Sequence, residues 1–143
     1  PIAAKLADLN GDGIVDLAVA NVGTAAQPGH TVSVLLHAAD PHNAEFTPQV
    51  EYETGVSPAS VAATDVNNDG IVDLLVGNSG DENVSVLIGT GDGAFSEAAI
   101  FGVGKNPSSI IATDLDTDGD IDAATANSSG SSVSVLQNRI FGP

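Results

Sequence analysis

The sequence predicts an all-β protein made of three β-propeller-type blades of about four antiparallel strands each, the last blade being incomplete. Two observations lead to this prediction. Short apolar segments of about four to seven residues alternate with turns rich in Gly, Asn, Asp and Ser, and no longer segment shows a helical period. A unit of about 50 residues also occurs three times along the chain.

Length and composition describe one globular domain and exclude several classes of partner. The chain has 143 residues, of which 42% are hydrophobic, enough to bury a core and too many for a disordered acidic tail. Only 3 Lys and Arg stand against 19 Asp and Glu, so we expect no binding to nucleic acid. No apolar run approaches the roughly 20 residues of a membrane-spanning helix, so we also expect no membrane insertion.

Each unit contains the same succession of segments. A proline comes first, then an Asp-rich loop, a strand that ends in Asn, and the tetrapeptide Val-Ser-Val-Leu. The first unit carries loop insertions, and the segment after the tetrapeptide is so short in the third unit that its outer strand is missing. Together they form one domain or part of a larger propeller. The units span residues 1–57, 58–106 and 107–143.

The second unit shows the predicted strands in order. Residues 59–64 and 73–78 flank the Asp-rich loop, residues 84–88 alternate between two faces as a strand does, and residues 95–101 follow a Gly-rich turn. Four short strands in about 50 residues are the size of a propeller blade. A β-sandwich built by duplication is the alternative.

Three nine-residue segments concentrate the acidic residues. They contain 11 of the 14 Asp, and each follows the pattern D-x-[DN]-x-D-G-x-x-D. Calcium binds six to eight hard oxygen ligands, which alternate residues of a loop wrapping the ion can supply, and the seventh position can offer a backbone carbonyl. Glycine at the sixth position permits a sharp turn. The segments are DLNGDGIVD (8–16), DVNNDGIVD (65–73) and DLDTDGDID (114–122).

The closing acid distinguishes these loops from an EF-hand. An EF-hand closes with Glu at position 12, where this chain has Val or Thr. The acid stands at position nine instead, as Asp16, Asp73 and Asp122, so the loop closes at the first residue of a strand. A metal-free turn is one alternative, but it would crowd carboxylates at about 1–4 kcal/mol per pair. Magnesium is another, but it demands a tighter octahedron.

The sequence resembles the FG-GAP/VCBS repeat family, whose calcium-loop blades also occur in integrin α-subunit propellers. The resemblance covers essentially the whole chain, and the strings that carry it are DLNGDGIVDLAVAN, DVNNDGIVDLLVGN, VSVLIGTGDGAF and IFGVGKNPSSIIATDLDTDGD. The resemblance implies a β-propeller with one Ca²⁺ in the hairpin between the first two strands of each blade. It also implies an extracellular or cell-surface location, and we expect a secreted bacterial protein.

The ligands that the resemblance implies fall into three sets, one per repeat. Their number is the departure from the family, because known propellers have about four to eight blades. The implied ligands are Asp8, Asn10, Asp12, the Ile14 carbonyl and Asp16; Asp65, Asn67, Asp69, the Ile71 carbonyl and Asp73; and Asp114, Asp116, Asp118, the Asp120 carbonyl and Asp122.

The remaining polar residues predict no active site, and we expect no enzymatic activity. No nucleophile elbow or phosphate loop is present. The histidines belong to the insertions of the first unit, and nothing in the sequence pairs two of the glutamates as in a glycosidase. We expect surface positions for both sets, which are His30, His37 and His42, and Glu45, Glu51, Glu53 and Glu97. Asn83 and Asn127 begin N-glycosylation sequons.

The sequence therefore predicts a non-enzymatic, calcium-stabilised extracellular module with a structural, adhesion or self-assembly role. The alternative is a lectin-like module that binds glycans. Sugar binding usually needs exposed aromatic faces, whereas Phe46, Tyr52, Phe95 and Phe101 occupy repeat-equivalent positions and are expected to be structural. Both ends leave a sheet uncovered, so we expect other copies of the chain or adjoining blades as partners, in a ring or a filament. A protein or glycan ligand is a further expectation.

Overall fold

The computed structural model describes residues 1–38 and 45–139. This part of the chain is all-β, as predicted, and it contains no helix of the length and apolarity that crossing a membrane requires. The strands are β1 (Ala3–Ala7), β2 (Asp16–Gly23), β3 (Pro28–Leu35), β4 (Val50–Glu53), β5 (Pro58–Thr64), β6 (Asp73–Asn78), β7 (Asn83–Leu87), β8 (Ala99–Gly102), β9 (Pro107–Thr113), β10 (Asp122–Asn127) and β11 (Ser132–Leu136).

The strands form three antiparallel sheets, one in each repeat. Sheet 1 has the order β1-β2-β3-β4 and sheet 2 the order β5-β6-β7-β8, so hairpins join consecutive strands. Sheet 3 has the order β9-β10-β11, and β11 is an edge strand in the part of the chain that the structure describes. The predicted succession of four, four and three strands is thereby confirmed. The described sheets do not close into a ring.

The last strands of sheet 2 differ from their predicted bounds. β7 covers residues 83–87 and not 84–88, and β8 begins at Ala99 and not at residue 95. Phe95 forms only an isolated bridge with Gly89. The reason lies in Ser96, whose hydroxyl accepts the Ile88 amide at 3.1 Å in place of a backbone carbonyl. Such local side-chain bonding interrupts the ladder.

Consecutive sheets pack face to face. β5 of sheet 2 lies against β1 and β2, and β9 of sheet 3 lies against β5 and β6. Each junction buries its own apolar cluster, because the two faces of sheet 2 pack against different neighbours. The first cluster contains Leu9, Ala18, Val32, Val34, Leu74, Val76, Leu87 and Phe95. The second contains Ala62, Val66, Leu75, Val84, Ile110 and Ala123.

The position of sheet 2 between the other two explains the composition of its second strand. All six residues of β6 are buried, because Leu74 and Val76 face sheet 1 while Leu75 faces sheet 3. β2 is covered on one face only, and its buried residues alternate with half-buried ones. A strand buried on both faces reads as a continuous apolar run, whereas a half-covered strand alternates.

A buried polar contact explains the Asn and Ser that recur in every repeat. Asn78 donates through Nδ2 to the Ser85 hydroxyl at 2.8 Å, and the same hydroxyl accepts the Gly55 amide at 3.1 Å. Gly55 belongs to the connection from sheet 1, and a Cβ there would lie 2.7 Å from Asn83 Oδ1. Equivalent Asn–Ser bonds join Asn21 to Ser33 and Asn127 to Ser134.

Candidate metal centre

The three Asp-rich loops connect the first and second strands of the three sheets. Each loop ends where its second strand begins, because Asp16, Asp73 and Asp122 are the first residues of β2, β6 and β10. The predicted position of the ninth-position acid, at the first residue of a strand, is therefore confirmed, while its role as a metal ligand stays a prediction. The glycines at the sixth position have φ of +82° (Gly13), +86° (Gly70) and +96° (Gly119), a region that residues with a Cβ rarely occupy.

The fourth residue of each loop also has a left-handed backbone conformation, which was not predicted from the sequence. Gly11, Asn68 and Thr117 have φ of 76°, 58° and 65°. Gly and Asn are the residues that adopt this region most readily, so their presence at the fourth position could have predicted this conformation in the first two loops. Thr117 is β-branched, and the third loop therefore holds it in an unfavourable conformation.

The leading aspartate of each loop accepts backbone amides from the turn that follows it. Asp8 Oδ2 accepts the Gly13 amide at 2.8 Å, Asp65 Oδ2 accepts the Gly70 amide at 2.7 Å, and Asp114 Oδ2 accepts the Gly119 amide at 3.1 Å. These bonds curl the loop around the carboxylate. The leading aspartate is thus placed on the concave side of its own turn.

The third and fifth positions are bonded to each other in the first two loops. Asn10 donates to Asp12 Oδ2 at 3.1 Å and Asn67 donates to Asp69 Oδ2 at 2.8 Å. Among the described residues, these loops do not form a group of three converging acids, because an amide stands at the third position. The predicted carbonyl ligands, Ile14 and Ile71, remain a prediction.

The third loop brings three carboxylates together. One oxygen each from Asp114, Asp116 and Asp122 lies within 4.8 Å of the others. Two oxygens that bind one calcium ion at about 2.4 Å can be at most about 4.8 Å apart, so the separation and the hard-oxygen chemistry both fit Ca²⁺. Asp118, which was predicted with them, is not in this group, and its Oδ1 accepts the Asp120 amide at 3.0 Å.

The ninth-position aspartates accept backbone hydrogen bonds that were not predicted from the sequence. Asp73 is fully buried, and its two carboxylate oxygens accept the amides of Val66 and Gly89, each at 2.8 Å. The carboxylate thereby joins the start of the loop to the residues that follow the third strand. The same pair of bonds is made by Asp16, to Leu9 and His37, and by Asp122, to Leu115 and Asn138.

Desolvation, together with the neighbouring like charges, raises the pKa of two of these groups. Burial raises the pKa of Asp73, and the charges of Asp69 and Asp65 add to this rise, while the amides of Val66 and Gly89 oppose it. Desolvation likewise raises the pKa of Asp116, followed by the charges of Asp118 and Asp122. A bound cation would relieve this repulsion.

One contact links two loops and was not predicted. Asn68 of the second loop donates through Nδ2 to Asp120 Oδ1 at 3.2 Å, and Asp120 is 1% exposed. The sequence had assigned only the backbone carbonyl of Asp120 to the site. Asn68 and Asp120 are far apart in the sequence, so a local spacing pattern does not predict their contact.

The other residues singled out in the sequence lie outside the three loops, although the His37 amide bonds to Asp16 and His37 is half-buried and not exposed as expected. His30 and Glu53 are exposed and approach to 3.6 Å, while His37 packs edge-on against Phe46 at 5.3 Å between ring centres. His42 lies outside the described residues. The four glutamates, Glu45, Glu51, Glu53 and Glu97, are exposed as expected.

The two sequon asparagines are both engaged in hydrogen bonds. Asn127 is 2% exposed and bonds to Ser134 at 2.9 Å, and Asn83 accepts a bond from Asn78 at 2.8 Å. Glycosylation requires an accessible side-chain amide, so the folded chain does not present Asn127 for this modification.

Comparison with known proteins agrees with the repeated sheet and loop. A sequence model of the FG-GAP-like repeat matches residues 8–76 and again residues 65–125, so the matches run from the first Asp-rich loop into β10. No curated protein matches the chain. The two overlapping matches each begin at the leading aspartate of a loop. On this evidence the chain belongs to the FG-GAP-like repeat family.

Proposed function

We propose that this chain is a non-enzymatic, calcium-stabilised module of an extracellular or cell-surface protein, with three calcium sites and β-propeller-type blades. The observation that carries the proposal is the convergence of Asp114, Asp116 and Asp122 within 4.8 Å, in a loop whose pattern recurs in the other two repeats. Repeats of this family are generally structural modules of extracellular domains, which supports the location and the absence of catalysis.

The proposed ligands are the oxygens at positions one, three, five and nine of each loop and the carbonyl at position seven. A bound calcium ion would neutralise the crowded carboxylates and hold the first hairpin of each sheet in place. The proposed sites contain Asp8, Asn10, Asp12, Ile14 and Asp16; Asp65, Asn67, Asp69, Ile71 and Asp73; and Asp114, Asp116, Asp118, Asp120 and Asp122.

A calcium titration tests the number of sites. We expect about three ions per chain by isothermal titration calorimetry, and about two in each of Asp12→Ala, Asp69→Ala and Asp118→Ala, because each removes one position-five ligand. Asp92→Ala is the matched control, since Asp92 lies in a turn outside the three loops. No heat of binding, or an unchanged stoichiometry in all three variants, would contradict the calcium proposal.

The contacts of the aromatic side chains support a structural role over glycan binding. Tyr52 and Phe95 pack edge to face with ring centres 5.5 Å apart, and Phe95 is buried in the cluster between sheets 1 and 2. Phe46 packs against His37. Tyr52 and Phe95 are thereby engaged with protein and are not free to stack on a sugar, whereas Phe46 and Phe101 are 38% and 47% exposed.

The outer faces of the end sheets support self-assembly through further blades. Leu6 on sheet 1 and Val133 on sheet 3 are 61% and 70% exposed, whereas Val84, at the position of sheet 2 that corresponds to Val133, is fully buried against sheet 3. Face-to-face stacking that covers Val84 inside the chain could thus cover Val133 with the first sheet of a second copy. Such a head-to-tail contact gives a ring if it closes and a filament if it does not.

Light scattering coupled to size exclusion tests this association in calcium buffer. We expect a mass above the 14.2 kDa of one chain at micromolar concentration, and a return towards one chain in Val133→Lys, because a buried unpaired charge opposes stacking. Val50→Lys changes an exposed valine on β4 and is the control. A stable particle of one chain for the unmodified protein would contradict the association of copies.

A further inference from the structure

Two side-chain hydrogen bonds connect the second Asp-rich loop with the third repeat. Asn68 donates through Nδ2 to Asp120 Oδ1 at 3.2 Å, and Asn138 donates through Nδ2 to the Val66 carbonyl at 2.6 Å. Asn68 and Val66 belong to the second loop, Asp120 belongs to the third loop, and Asn138 follows the last strand of the third repeat. Both bonds therefore cross the junction between the second and third repeats.

The first of these bonds joins backbone positions that adjoin proposed ligands in both loops. Asn68 stands between Asn67 and Asp69, two proposed ligands of the second site, and forms the left-handed turn between them with φ of 58°. Asp120 offers the proposed carbonyl ligand of the third site, and its amide donates to Asp118 Oδ1 at 3.0 Å. The bond thus holds the turn of one loop against the ligand-bearing backbone of the other.

The second bond completes a connection between the two ninth-position aspartates. The Asn138 amide donates to Asp122 Oδ1 at 2.8 Å, while the Asn138 side chain bonds to the Val66 carbonyl. The Val66 amide in turn donates to Asp73 Oδ2 at 2.8 Å. Asp122 and Asp73 are both buried, and hydrogen bonds are stronger where water is excluded. The closing carboxylate of each loop is therefore linked to that of the other.

The corresponding positions of the first junction, between repeats 1 and 2, carry no polar side chain. Two of them are the fourth and seventh loop positions, and the third is the residue whose amide donates to the ninth-position aspartate. Glycine and isoleucine side chains neither donate nor accept hydrogen bonds, so these positions cannot make either connection. The residues Asn68, Asp120 and Asn138 of the second junction correspond to Gly11, Ile71 and Gly89 of the first.

We propose that the second and third calcium sites are a coupled pair, with Asn68, Asp120 and Asn138 as positioning residues, and that the first site binds independently. This inference rests on the calcium sites proposed above. Binding at either loop of the pair fixes a turn that is bonded to the other loop, so the second ion restricts less conformational freedom than the first. Such coupling is reciprocal, and each site raises the affinity of the other by the same factor.

Hydrogen exchange over a calcium titration measures each site separately. Mass spectrometry of peptides that contain residues 8–16, 65–73 or 114–122 gives a half-point for each loop, the calcium concentration at which the slowing of its amide exchange is half complete. Asp116→Ala removes an exposed proposed ligand of the third site. We expect this change to raise the half-point of the second loop about fivefold or more, and to leave that of the first loop unchanged.

Variants in the other two loops test the direction and the extent of the coupling. Asp69→Ala should raise the half-point of the third loop by the factor that Asp116→Ala produces in the second, because coupling of binding free energies is symmetric. Asp12→Ala, in the first loop, should leave the half-points of the second and third loops unchanged. A general loss of stability would instead shift all the remaining loops together.

Removal of the two hydrogen bonds tests the assigned connection. Asn68→Gly combined with Asn138→Gly introduces the residue that the chain already has at both corresponding positions of the first junction. In this background Asp116→Ala should no longer shift the half-point of the second loop. Asn106→Gly is the matched control and should retain the coupling. Asn106 also has a left-handed φ, of 56°, and bonds through its side chain to Ser129 at 3.2 Å, outside the three loops.

The outcomes separate the coupling from the calcium sites themselves. An unchanged half-point of the second loop in Asp116→Ala would overturn the coupling, while three calcium-dependent loops would leave the proposed function intact. Equal shifts of the first and second loops in Asp116→Ala, or coupling that persists without both asparagines, would also overturn the inference. The absence of calcium-dependent slowing in every loop would contradict the coupling and the proposed function together.

Discussion

Chelation of calcium is expected to lower the melting temperature of this chain by well over ten degrees. A site whose dissociation constant lies about 100-fold below the free calcium concentration stabilises the fold by about 2.7 kcal/mol. Three such sites would amount to about 8 kcal/mol, against about 5–15 kcal/mol for the whole stability of a typical domain. At about 2–4 °C per kcal/mol for a domain of this size, the loss is large.

Melting curves in excess EDTA and in excess calcium measure this effect. Asp69→Ala should show a smaller difference between the two conditions, by about one site in three. Asp92→Ala, outside the loops, should show the same difference as the unmodified chain. Magnesium should restore less stability than calcium, because it dehydrates reluctantly and demands a tighter shell. An unchanged melting curve in EDTA would contradict the calcium proposal.

Asp73→Ala should destabilise the chain strongly even without calcium. The carboxylate of Asp73 is fully buried and accepts the amides of Val66 and Gly89 at 2.8 Å. Its removal leaves two buried donors without an acceptor, at about 1–3 kcal/mol each, so we expect a loss of about 2–6 kcal/mol. Because these bonds do not involve a metal, the loss should persist in EDTA.

Urea unfolding of matched variants separates this role from metal binding. Asp69→Ala removes an exposed carboxylate from the same loop and should cost little in EDTA, although it removes a proposed ligand. Asp73→Asn retains one acceptor oxygen and should lie between the unmodified chain and Asp73→Ala. If Asp73→Ala and Asp69→Ala are equally stable in EDTA, the buried carboxylate has no separate structural role.

The elements that depend on local pattern could be read from the sequence. The strands β5 and β6 were predicted within one residue of their observed bounds, because the Asp-rich loop separates two short apolar segments and marks where each of them ends or begins. The start of β8 was wrong by four residues. The Ile88 amide can bond either to a backbone carbonyl of the next strand or to the Ser96 hydroxyl, and it bonds to the hydroxyl. The periodicity of the sequence does not distinguish these two acceptors.

The same division holds at the candidate site. The sequence by itself determined the repeat, the all-β class, the spacing of the carboxylates and the glycines that allow each loop to turn, since all of these are relations between near neighbours. Only the tertiary structure decided that Asp73 receives the Gly89 amide, that Asn68 reaches Asp120, and that Phe95 is buried where Phe101 is half exposed. The period of a strand specifies two faces, but which face a neighbouring sheet covers depends on how the sheets pack.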